Sequence, residues 1–179
     1  CDARQAEMIV KAVADIEGPC YVRLGRGNVE DVYSDDTAFT YGKGNILRKG
    51  KKVAIVATGM MVQEALSAYE TLKAEGKEVT VVDMPCIKPI DEELLRSFAD
   101  TYELVVTLEE NVKDGGFGER VLAFAEEEDL PFGVEIIALP DRFIPHGSVS
   151  YQMKQVGFTP EDICGRIEEY YRKQGQEER

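Results

Sequence analysis

The chain has 179 residues, 44% of them apolar but with no long apolar run. That suits one soluble globular domain, or one domain with part of another, and argues against a membrane span or a signal peptide. A net charge of −13 leaves no cluster of Lys and Arg to neutralise nucleic acid, although an acidic protein can still hold a phosphorylated metabolite at a local site.

Cys1, Cys20, Cys86 and Cys164 are widely spaced and His146 is the single histidine, so neither a zinc site nor a disulfide framework is expected. Reduced thiols in a cytoplasmic protein are the expected state. The chain starts at Cys1 rather than methionine, with Asp2 already reading as a helix cap, which points to a fragment or a processed chain.

Asp2 and Gln5 form a capping-box pattern, and Ala6, Ile9, Val10, Val13 and Ile16 recur at helical spacing up to Gly18 and Pro19. Residues 20–24, C-Y-V-R-L, predict a strand ended by Gly25 and Gly27 on either side of Arg26. One helix and one strand cannot enclose a core, so this opening needs either the later sheet or a missing partner, and the missing partner is preferred. Residues 28–40 are acidic and aperiodic and read as a connection, with a boundary near 34–40. A short strand at 45–47 suits an antiparallel edge.

Residues 53–57 and 78–83 are nearly continuous apolar runs, as interior parallel strands require. Between them Val62, Ala65, Tyr69 and Leu72 line one face of a helix that Gly76 closes in a left-handed turn. This is a βαβ unit, and the chain beyond residue 83 repeats its pattern. Pro85 and Pro89 interrupt the chain, Asp91 caps a short helix, and 104–108 is a strand. Phe117, Val121, Phe124 and Ala125 line the next helix, and 134–139 is a further strand. Ser148 caps a short helix, and Thr159 and Pro160 open the last one, with Ile163, Ile167, Tyr170 and Tyr171 inward. The expected fold is α/β, a three-layer, mostly parallel sheet.

Ligands of open parallel sheets gather beyond the carboxyl ends of the strands, which selects the turns at 58–59, 84–89, 109–118 and 139–147. Thr58 and Gly59 either offer helix N–H groups to an anion or simply supply small residues at a turn. The G-G-F-G run at 115–118 has neither dinucleotide nor P-loop spacing; its glycines more simply let a helix approach the sheet. Glu109 and Glu110 point to opposite faces of a strand, so a capping or interface role outweighs acid–base pairing. His146 lacks a companion nucleophile and reads as a turn or interface residue. Arg26, flanked by glycines, is either a solvated cation or a bidentate phosphate ligand.

Five segments carry a resemblance: G-P-C-Y-V-R-L-G-R-G-N, F-T-Y-G-K-G-N-I-L-R-K-G-K-K-V-A-I-V-A-T-G, V-V-D-M-P-C-I-K-P-I-D, L-V-V-T-L-E-E-N-V-K-D-G-G-F-G and A-L-P-D-R-F-I-P-H-G. In this order they resemble the C-terminal part of the transketolase family. The last two are most similar to its 1-deoxy-D-xylulose-5-phosphate synthase branch, whereas R-L-G-R at 23–26 is closer to transketolase itself. The resemblance implies that residues 1–34 are the tail of a pyrimidine-binding domain, 35–40 a linker, 41–174 a transketolase C-terminal-type domain and 175–179 a frayed tail.

It further implies that Arg26 holds the phosphate of a sugar substrate. No catalytic or metal-binding residue is implied within this chain. The intact enzyme would use thiamine diphosphate and Mg, held by polypeptide absent from this chain, so the chain alone would bind neither and be inactive. The implied parent is a transferase of the isoprenoid-precursor type, moving two carbons from pyruvate to glyceraldehyde 3-phosphate. The alternatives are a transketolase section, the β subunit of a 2-oxoacid dehydrogenase, or a pure subunit-interaction module. Partners implied are the N-terminal remainder of the enzyme and a second copy in a homodimer, with no nucleic acid and no membrane.

Overall fold

A computed structural model describes residues 1–34 and 37–177. In chain order the elements are α1 (Ala3–Ala14), β1 (Asn45–Arg48), β2 (Lys52–Ala57), α2 (Met61–Ala74), β3 (Thr80–Asp83), α3 (Glu92–Arg96), β4 (Tyr102–Val112), α4 (Phe117–Glu127), β5 (Gly133–Leu139), α5 (Val149–Val156) and α6 (Pro160–Glu177). The strands form one sheet in the order β1-β3-β2-β4-β5, with β1 antiparallel and the other pairings parallel.

β2 lies at the centre because its side chains are apolar on both faces. Val53, Ile55 and Ala57 join α2 and α6 in one layer, while Ala54 and Val56 join α3 and α4 in the other. Each layer covers one side of the pleat, so alternate residues of a single strand feed both halves of the core. Gly76 ends α2 at φ +77°, the left-handed conformation expected of it.

The structure differs from the sequence reading at three places. Residues 20–24 form no strand within this chain: Tyr21 is 90% exposed and Leu24 56%, and no described strand pairs with them. α6 continues to Glu177, so residues 175–177 of the expected tail lie within the helix; 178 and 179 lie outside the described residues. β4 runs beyond residue 108 to Val112, where it still pairs with Leu139 of β5. Of the expected linker at 35–40, residues 35 and 36 lie outside the described residues and 37–40 are irregular.

Among the described residues, no helix is long and apolar enough to cross a membrane.

Candidate functional site

The N-terminal segment lies against the carboxyl edge of the sheet, and two buried acids hold it there. Asp2 caps α1 through the amide of Gln5 at 2.7 Å, while its other oxygen accepts the amides of Val32 at 2.7 Å and Tyr33 at 2.8 Å. Asp83, the last residue of β3, is fully buried and accepts a hydrogen bond from the Tyr33 hydroxyl at 2.6 Å and another from the Gln5 side-chain amide. The Gln5 side chain therefore crosses to the sheet, and the expected capping box is only half used. The Gln63 side chain of α2 adds a third tether, donating to the Glu30 carbonyl at 2.8 Å.

Burial pushes the Asp83 carboxyl above its ordinary 3.8, opposed by the Tyr33 hydroxyl, the Cys1 amine and the Gln5 amide. Burial followed by the adjacent Asp83 charge pushes the Tyr33 phenol up as well, so it remains a donor. A carboxyl raised in the fold stabilises the protein below its unfolded value, and that contribution is lost as pH rises through the folded value. Asp83→Asn is therefore expected to gain stability over the parent as pH climbs from about 4 towards neutrality, with the two converging on acidification. Denaturant midpoints measured across that range check it; a constant difference would contradict it.

The same arrangement places Arg26. A Cβ added to Gly25 or Gly27 would stand 3.3 or 3.5 Å from Met60 Sδ, so the Gly25-Arg26-Gly27 turn lies over the residue that opens α2. Arg26 is itself exposed and is ion-paired with no described residue. Both glycines fit this close approach, which was not legible in the sequence beyond the openness of the turn.

At β4, Glu109 is 2% exposed while Glu110 is exposed, which bears out their opposed directions. Glu109 points to the start of α4, accepting the amides of Phe117 and Gly118, each at 2.8 Å. Burial pushes its carboxyl up, opposed by those amides. The helix has no cap of its own because its N-cap is Gly116. A Cβ there would reach within 2.5 Å of Glu109 Oε2, and one at Gly118 within 2.5 Å of Ile136 Cγ2. The glycine run is thus a packing device, as expected, and Glu109 a capping residue.

His146 is exposed in the turn after β5, with no described side chain hydrogen-bonded to it. The four cysteines are free. A cleft of about 410 Å³ between β5 and α6, lined by Ile137, Asp162, Arg166 and Glu169 among others, contains none of the residues singled out from the sequence.

The family model described as "Transketolase, C-terminal domain" matches residues 42–163. The chain belongs to the transketolase family. Its relatives in that family include an apulose-4-phosphate transketolase subunit from Phocaeicola vulgatus, 38% identical over 174 residues, covering 97% of this chain and 55% of that protein. The 1-deoxy-D-xylulose-5-phosphate synthase of Vibrio campbellii is 40% identical over 158 residues, covering 87% of this chain and 25% of the synthase. A solved structure titled "Split gene transketolase, inactive beta4 tetramer" superposes with a TM-score of 0.89 at 41% identity, over 94% of this chain and 55% of that one. This transketolase-family chain therefore spans about half the length of one kind of relative and a quarter of another.

Proposed function

We propose that this chain is the C-terminal section of a thiamine-diphosphate-dependent transketolase that transfers a two-carbon unit to a phosphorylated sugar acceptor. Its contribution is a sheet edge that presents Arg26 to the acceptor phosphate. The observation that carries this is the Gly25-Arg26-Gly27 turn, exposed and tethered at the carboxyl edge beside the start of α2. Residues 1–34 then belong to the pyrimidine-binding domain, and the remaining polypeptide completes that domain and supplies the cofactor surfaces.

On this reading thiamine diphosphate and its magnesium belong to the remaining polypeptide. Asp83 and Glu109, the buried acids at the strand ends, are turned onto the chain's own donors, and no described group of three or more His, Cys, Asp or Glu converges. When bound elsewhere in the enzyme, the cofactor supplies the carbon–carbon chemistry, and this chain binds and orients the acceptor. A split-gene relative titled an inactive β4 tetramer supports the reading that such a section acts only with its counterpart, and leaves self-association as a further part of the proposal.

Arg26→Ala in the reassembled enzyme is expected to raise the KM for the phosphorylated acceptor by about 10- to 100-fold, the range for losing a charge-assisted phosphate contact. Arg26→Lys should recover only part of it, because an ammonium lacks the planar fork. An unchanged KM in the alanine variant would remove Arg26 from the site.

A second reading, decarboxylation of pyruvate onto glyceraldehyde 3-phosphate, is favoured by the E-E-N…G-G-F-G and L-P-D-R-F-I-P-H-G segments and by the synthase relatives. Carbon dioxide release from pyruvate dependent on glyceraldehyde 3-phosphate selects it; ketose-to-aldose transfer without such release selects the first.

A further inference from the structure

Asp83 treats its two oxygens unequally. Oδ2 accepts both the Tyr33 hydroxyl, at 2.6 Å, and the Gln5 side-chain amide, whereas Oδ1 is equally buried and has no hydrogen-bond partner among the described residues. Both of those donors come from the N-terminal segment. The backbone of the same segment is held from the other side by Asp2, at the amides of Val32 and Tyr33. Tyr33 is thus clamped at its amide and at its hydroxyl, and the chain leading back from it through Glu30 to Arg26 is pinned again by Gln63.

We propose that Asp83 is a positioning residue for the acceptor phosphate: through Tyr33 it holds the Arg26 turn over the start of α2, so that the guanidinium is already in place when the substrate arrives. This rests on the reading of Arg26 given above. The physical gain is preorganisation. Within this chain residues 15–34 contain no helix or strand, so the hydrogen bonds from Asp2, Gln63 and Asp83 are what fix them against the sheet before substrate binds.

The unequal oxygens make the idea testable with a conservative variant. In Asp83→Asn the amide oxygen can take the place of Oδ2 and keep both donors, while the NH₂ falls where Oδ1 now meets no donor. Asp83→Ala removes the acceptor, and Tyr33→Phe removes one hydroxyl with little change of shape.

In the reassembled enzyme, Tyr33→Phe and Asp83→Ala are expected to raise the acceptor KM about tenfold with kcat within about twofold of the parent, and Asp83→Asn to bring KM back to within about twofold. Adding Tyr33→Phe to Arg26→Ala should cost less than the product of the two single effects, because both act on one contact. Hydrogen exchange over residues 20–34 should quicken in Tyr33→Phe and not in Asp83→Asn.

If Arg26→Ala raises KM while Tyr33→Phe leaves both KM and exchange unchanged, the clamp is refuted and the role of Arg26 stands. If Tyr33→Phe quickens exchange but Arg26→Ala leaves KM unchanged, the reading of Arg26 fails and the proposal with it. A fall in kcat with unchanged KM would mark Asp83 as merely structural and also overturn it. Should Asp83→Ala not fold, the Tyr33→Phe and Asp83→Asn pair decides alone.

Discussion

Replacing Glu109 with alanine is expected to destabilise the chain by about 3 kcal/mol, seen as a lower denaturation midpoint at an unchanged slope. The carboxylate is buried and its two oxygens satisfy the amides of Phe117 and Gly118 at the start of α4. Helices ordinarily take such a bond from the residue just before them, but Gly116 has no side chain, and its missing Cβ is the space that Glu109 fills. Alanine leaves both amides buried without an acceptor, at about 1–3 kcal/mol each before relaxation, and removes a negative charge from the positive end of the helix dipole. Glutamine should cost about half as much, since one oxygen remains while the NH₂ faces an amide donor. A Glu109→Ala midpoint matching the parent would mean that water or another side chain caps α4.

Gly50→Ala is expected to be at least as damaging, at about 3 kcal/mol or more, the upper end for overpacking a dense interior. A Cβ at this position would lie 2.4 Å from the Val79 carbonyl carbon and 2.5 Å from its oxygen. These are backbone atoms at the entry to β3, not the end of a side chain that could swing away. The turn is fixed independently, because the Gly50 amide donates to Thr80 Oγ1 at 2.8 Å and the Lys51 amide to the Glu78 carbonyl at 2.8 Å. Neither bond survives a shift large enough to admit a methyl group. The adjacent, exposed Lys49→Ala serves as the control, expected within about 0.5 kcal/mol of the parent by the same denaturation measurement. Equal midpoints for the two variants would show that the turn yields freely.

The two residues differ in how visible they were beforehand. Glu109 could be assigned a capping or interface role because adjacent residues of a strand face opposite ways, and its partner Glu110 is indeed in solvent. Gly50 carried no signal: glycines among lysines beside a short strand look like any surface turn, and the close approach belongs to a neighbour some thirty residues further along. Arg26 was visible as a cation between glycines, but its place beside Met60 was not. Asp83 escaped altogether. At the end of an apolar run a carboxylate reads as the solvated end of a strand, and nothing nearby in sequence shows that its donors are Gln5 and Tyr33.

What the residues determined by themselves is local and periodic. Strands apolar on both sides, a striped helix between them, Asp91 and Ser148 as caps and Gly76 as a left-handed stop all depend on neighbours within a turn or two, so they can be read along the chain. Tertiary structure alone decided the rest. Residues 20–24 have the composition of a strand yet form none within this chain, because a strand's hydrogen bonds must be completed by another backbone, and no described strand pairs with them. Likewise the buried acids Asp83 and Glu109 acquire their roles only from donors brought in by folding, since burying a carboxyl group is tolerable only where distant parts of the chain supply its hydrogen bonds.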